Sequence, residues 1–168
     1  MKKTTYFIMK KTILIPLLLI ANLSFAQLKM GEKAPDFKLW LVDNNTISNN
    51  ETKNKVVIFK FWFTSCVTCI TGIPTLNKLV EKYKDRKDVL FIAPALDNKE
   101  KVKRFLGYYP FDFKIAYNAI DVAQIYNPKG IYPTYVIIDK NGNIVYIDSQ
   151  IKEIKEQNLE KMIDELLD

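Results

Sequence analysis

Residues Val56 to Phe63, VVIFKFWF, form the most apolar run beyond residue 26, β-branched and aromatic on both faces except at Lys60. A strand with one wet face alternates, so this pattern predicts a central strand covered by helices on both sides. After Thr64-Ser65 the period changes, and Cys69, Ile73, Leu76, Leu79, Val80 and Tyr83 recur at helical spacing over residues 66 to 84. A strand-to-helix junction therefore falls at Cys66 and Cys69, the two cysteines of the 168-residue chain.

The flanking segments read in the same alternating manner. Phe37 to Leu41 suits a half-buried strand, Thr46-Ile47 a short paired one, and Val89 to Ala93 a second buried strand. Asn98 to Tyr108 reads as a helix with Val102, Phe105 and Leu106 inward, Phe113 to Tyr117 as a short strand, and Ala119 to Tyr126 as a short helix. Thr134 to Asp139 and Asn143 to Ile147 flank Asn141-Gly142, a strong hairpin signal. Ile151, Ile154, Leu159, Met162, Ile163, Leu166 and Leu167 stripe a last, otherwise charged helix. Strands and helices in this order predict one three-layer α/β domain over residues 27 to 168.

The net charge of +6 comes largely from the start of the chain. Lys2, Lys3, Lys10 and Lys11 precede an apolar stretch, Thr12 to Ala21, and then Ser24-Phe25-Ala26, with no acid before Glu32. This is the pattern of a secretory signal peptide over residues 1 to 26, cut after Ala26. An uncleaved N-terminal anchor is the competing reading. Beyond the cut, 21 basic residues face 19 acidic ones. The electrostatic footprint of nucleic-acid binding disappears with the leader. Export would place the protein in the periplasm or cell envelope, where disulfides form and persist.

Histidine is absent from the chain, which removes Cys-His and Ser-His-Asp catalysis. Zinc would need ligands beyond two cysteines. A sulfur at a helix start faces backbone N–H groups that have no intrahelical partner, and a thiolate is stabilised there. In a Cys-x-x-Cys loop such placement can lower a thiol pKa from ~8.5 to roughly 3.5–7.5. Cys66, at the exposed end, is the expected nucleophile, and Cys69, one turn further in, the buried resolving thiol. A static structural disulfide is the bland alternative.

The segment FKFWFTSCVTCITGIP, Phe59 to Pro74, resembles the thioredoxin-fold active site: a buried strand ending in Phe61-Trp62, then Cys66-Val67-Thr68-Cys69, then Pro74 five residues after the second cysteine. Gly130 to Asp139 resembles the family's loop carrying a cis-proline before a strand. The lead-in GEKAPDF, with the extra helix and strand between Asn98 and Tyr117, is similar to the exported TlpA/ResA-like thiol-disulfide oxidoreductases. The resemblance spans residues 30 to 168. It implies a thioredoxin-like three-layer sandwich with an N-terminal extension and a central helix-strand insertion. It also implies that Tyr132 and Pro133 meet an extended substrate chain and that Trp62 is scaffold at the edge of the site. Pro74 should kink its helix or begin a new one.

Departures from the family pattern are equally specific. Lys60 stands six residues before Cys66, where thioredoxins place a buried acid, and Gly72 stands where many TlpA/ResA-like proteins have a glutamate. Ser65 replaces a tryptophan, and Val67-Thr68 is not the common Gly-Pro. Lys60 is expected to snorkel its ammonium to the surface; the alternative puts it under the disulfide, favouring thiolate or moving protons.

The expected function is exported thiol-disulfide exchange with protein disulfides, in the reducing direction that the resemblance implies. The Cys66–Cys69 pair would be the redox group, with no other cofactor, and a monomer would be recharged by a membrane-bound electron donor. Two alternatives remain open. One is a binding module gripping a ligand with Tyr108, Tyr109, Tyr126 and Tyr132. The other is a peroxidase, although the chain has no Pro-x-x-x-Thr-x-x-Cys motif.

Overall fold

The computed structural model describes residues 28–148 and 156–168, with side chains from residue 158 onward in the second span. The expected leader, and Ile151 and Ile154 of the last stripe, lie outside these residues.

Among the described residues seven strands form one mixed sheet: β1 (Lys38–Leu41), β2 (Thr46–Ser48), β3 (Val56–Phe61), β4 (Val89–Pro94), β5 (Lys114–Tyr117), β6 (Thr134–Ile138) and β7 (Ile144–Asp148), ordered β2-β1-β5-β4-β3-β6-β7. β3, β4 and β5 run parallel, and the other pairings are antiparallel. The helices are α1 (Val67–Thr71), α2 (Ile73–Lys82), α3 (Lys99–Leu106), α4 (Ile120–Tyr126) and α5 (Glu156–Leu167). Among the described residues no helix is long and apolar enough to cross a membrane.

Side chains alternate across a strand, so β3 feeds two cores. Val56 and Ile58 pack with Cys69, Ile73, Leu76 and Leu79 of α1–α2, Val102 and Phe105 of α3, and Leu159 and Ile163 of α5. Val57, Phe59 and Phe61 pack on the opposite face with Val122, Ala123 and Tyr126 of α4, with Phe37 of the lead-in and with Leu39 and Leu41 of β1. All six β3 residues are buried, as their two-sided apolar pattern requires. The insertion α3–β5 adds one strand between β4 and β1.

The expected hairpin forms at Asn141-Gly142. Gly142 takes φ +80, a left-handed conformation that glycine adopts without a Cβ penalty, and its N–H donates to the Asp139 carbonyl at 2.9 Å. The single helix expected over residues 66 to 84 is instead two, parted at Gly72. Pro74 lies in the first turn of α2, where its missing N–H has no intrahelical partner to lose, while its ring bars α1 from running through unbroken.

Candidate active site

The parallel β3–β4 pairing continues one step beyond the strand ends. Leu96 N–H donates to the Trp62 carbonyl at 3.1 Å, and Trp62 N–H to the Pro94 carbonyl at 3.3 Å. Trp62 is fully buried, donates its indole N–H to the Ala93 carbonyl at 3.3 Å, and packs against the rings of Phe105 and Phe111 at 5.0 and 5.6 Å. It is scaffold, and it fixes the point from which the cysteine loop departs.

Two bonds then shape that loop. Thr64 N–H donates to Asp97 Oδ2 at 2.6 Å, and Cys66 N–H donates to the Phe63 carbonyl at 3.0 Å. Asp97 is held in turn by Lys101 Nζ at 2.6 Å. Burial pushes the Asp97 carboxyl up, but the Lys101 ammonium and the Thr64 amide outweigh it and leave the pKa below the ordinary value.

Cys66 is the N-cap of α1, with extended backbone (φ -82, ψ 99). Its sulfur accepts the Cys69 N–H at 3.2 Å and lies 3.4 Å from Thr68 Oγ1. Because α1 has only five residues, the local N–H matters more here than any long macrodipole. Cys66 and Cys69 are joined in a disulfide with Cα atoms 5.2 Å apart. Cys66 retains 6% of its surface, less than the exposed position expected of it, because its sulfur is turned inward onto Cys69. Cys69 retains none, while Val67 beside them is 72% exposed and Thr68 is exposed.

The opposite wall comes from β6. Its register pairs Phe61 with Thr134 and Lys60 with Tyr135, which brings the residues before Thr134 alongside the start of the cysteine loop. The Tyr132–Pro133 peptide bond is cis. Tyr132 is half-buried, touches both cores, and meets the Phe63 ring edge-on at 5.5 Å. Burial raises its phenol pKa, against a lowering contribution from Asn127. The Ile131 carbonyl, one residue before Tyr132, accepts from Asn127 Nδ2 at 2.8 Å and Thr134 Oγ1 at 2.7 Å.

Two expectations fail here. Lys60 does not snorkel: it has no exposed surface, because α1 covers the end of β3, and its Nζ donates to the Cys69 carbonyl at 2.8 Å. Tyr126 cannot grip a ligand, since it is buried among Phe37, Phe59 and Phe61 with its hydroxyl bonded to the Pro35 carbonyl. Tyr108 and Tyr109 are exposed, at 77% and 52%, with Tyr109 stacked on Phe105. Pro74 is exposed and Gly72 buried at the α1–α2 junction.

Asp97, Asn77 and Asn127 were not visible as site residues from sequence. Asn77 pins the segment after α3 by donating to the Pro110 carbonyl and accepting from Asp112 N–H, at 2.9 and 3.0 Å. Thr64, the loop partner of Asp97, and both partners of Asn77 lie 33 to 35 residues away, beyond any local pattern. Asn127 differs: its partner is four residues away, and a C-capping asparagine before Pro128 was a readable signal.

A mixed sheet carrying a Cys-x-x-Cys disulfide at the N-cap of the helix after its central strand, opposite a cis-proline loop, defines a thioredoxin-fold thiol-disulfide oxidoreductase. The chain belongs to the redoxin family, whose model matches residues 29–163. It is 32% identical over 141 residues to the thiol-disulfide oxidoreductase ResA of Bacillus anthracis, covering 81% of this chain and 80% of that protein. It is 30% identical over 134 residues to the thioredoxin-like protein YneN of Bacillus subtilis, covering 77% and 78%. The thioredoxin domain of a thiol-disulfide oxidoreductase from Bacteroides vulgatus shares the fold, with a TM-score of 0.71 at 23% identity over 84% of this chain and 99% of that one.

Proposed function

We propose that the protein is exported and reduces disulfides in other proteins, with Cys66 as nucleophile and Cys69 as resolving thiol. In the reduced form the Cys66 thiolate attacks a substrate disulfide, a Cys66–substrate bond forms, and one substrate sulfur leaves as thiolate. Cys69, deprotonated, then attacks Cys66 Sγ, which closes the intramolecular disulfide and frees the second substrate sulfur. Two electrons pass to the substrate. A dithiol donor at the membrane restores the pair by the reverse exchange, so the redox group is the cysteine pair itself.

The observation that carries this reading is the asymmetry of the pair. The Cys69 N–H points at the Cys66 sulfur, and Cys66 keeps accessible surface whereas Cys69 has none. Tyr132 and Pro133 support docking of an extended substrate chain beside the disulfide, and the exposed Val67 and Thr68 border the approach to Cys66. The lysine-rich, apolar start of the chain supports export.

The test is insulin reduction with a dithiol donor, run beside a peroxide-consumption assay. Catalysed insulin reduction that is abolished by Cys66→Ser, with negligible peroxide turnover, is expected. Fast peroxide consumption, or no exchange in either assay, would overturn the proposal.

A further inference from the structure

Lys60 is a fully buried lysine that the exchange described above does not employ. The alternation of β3 puts it on the face of Val56 and Ile58, toward α1, at the end of the strand that α1 covers. Its Nζ donates to the Cys69 carbonyl at 2.8 Å and lies over the rings of Phe111 and Tyr135, at 5.4 and 5.7 Å from their centroids. A carbonyl oxygen and two aromatic faces present negative potential to the Nζ, surroundings that attract an ammonium electrostatically. The oxygen that Lys60 holds belongs to the same residue as the resolving sulfur. Neither Lys60 nor Cys69 has any exposed surface, so little solvent screens the one from the other.

We propose that Lys60, as the ammonium, is the positioning residue that holds the resolving Cys69 as a thiolate once the disulfide is open. This rests on the oxidoreductase reading above. When two glutathione molecules reduce the pair, the first glutathione thiolate forms a mixed disulfide with Cys66 and expels Cys69 as thiolate. The second attacks the glutathione sulfur of that bond, releasing Cys66 and oxidised glutathione. Two electrons enter the protein, and the Cys69 sulfur stays ionised beside Lys60 instead of taking up a proton. Stabilising the reduced form makes the couple more oxidising and keeps Cys69 ready to resolve mixed disulfides. A buried acid in the same place would act with the opposite sign.

The test compares the wild-type chain with Lys60→Met and Lys60→Gln; the glutamine keeps a donor for the Cys69 carbonyl while removing the charge. Each is equilibrated with glutathione buffers at neutral pH, and thiolate absorbance is read in a Cys66→Ala background where Cys69 is the remaining thiol. Both variants should lose at least tenfold in the equilibrium constant for reduction, about 30 mV toward a more reducing potential, together with most of the thiolate signal. Either variant suffices if the other does not fold. A wild-type potential and an unchanged thiolate signal in a folded variant would overturn the role of Lys60. Failure of the wild-type chain to exchange with glutathione or insulin at all would instead overturn the oxidoreductase reading, and this role with it.

Discussion

The Thr64 amide, two residues before Cys66, donates to the carboxylate of Asp97 at 2.6 Å, across 33 residues of sequence. This bond ties the cysteine loop to the segment between β4 and α3. Asp97→Ala leaves a partly buried amide unpaired, and should lower unfolding stability by about 1 to 3 kcal/mol and slow insulin reduction. Because the folded pKa of Asp97 is depressed, its contribution is present above the unfolded carboxylate value of ~3.9 and lost as pH falls below it. Urea unfolding curves between neutrality and roughly pH 3 should therefore show a shallower acid decline in the variant than in the wild type.

Cys69→Ser removes the proposed resolving sulfur and leaves Cys66 in place at its N-cap. The variant should accumulate covalent adducts through Cys66 when mixed with oxidised insulin, visible as reductant-sensitive bands on a non-reducing gel. Cys66→Ser should give none, and equal trapping by both variants would contradict the proposed order of attack.

Asn127 and Thr134 together fix the Ile131 carbonyl and so the path of the chain into Tyr132 and Pro133. Asn127→Ala should cost about 1 to 2 kcal/mol in stability. It should raise KM for a protein disulfide more than it lowers kcat, since the cysteines themselves are untouched. Steady-state insulin kinetics separate the two parameters.

Alkaline unfolding has its own marker in Tyr83. Its hydroxyl joins α2 to α5 through Asp164 Oδ1 at 2.6 Å, and burial followed by that bond pushes its pKa up to about 12. A raised folded pKa means a contribution that is complete below the unfolded value near 10 and lost as pH rises toward 12. Tyr83→Phe should be less stable by about 1 kcal/mol at neutral pH and should lose less than the wild type on raising the pH from 9 to 11. Tyr146, also raised to about 12 by burial and Asp148, adds to the alkaline sensitivity, as do Tyr126 and Tyr132, both raised by burial.

The β3 run, the cysteine junction and the Asn141-Gly142 hairpin were legible because each is a local pattern of period or turn chemistry. The fate of Lys60 was half legible: its parity with Val56 and Ile58 was in the sequence, but its burial depended on α1 closing over the strand end, and a lone lysine is ordinarily solvated. Tyr126 misled in the same direction, because a tyrosine near a proposed binding loop gives no sign that Phe37, far away in the chain, will cover it. The break at Gly72 was partly foreseeable from Pro74, whereas the ties from Asp97 and Asn77 arise only once the layers have assembled.

The two cores on either face of β3 have one further consequence. The sulfurs are carried by helices of one layer, while the loop that would receive substrate is reached through α4 of the other, and Tyr132 is the side chain that touches both. If the proposed roles hold, the sulfurs and the loop that would meet substrate lie on opposite faces of one strand, and Tyr132 is where a substitution made for one would be felt by the other.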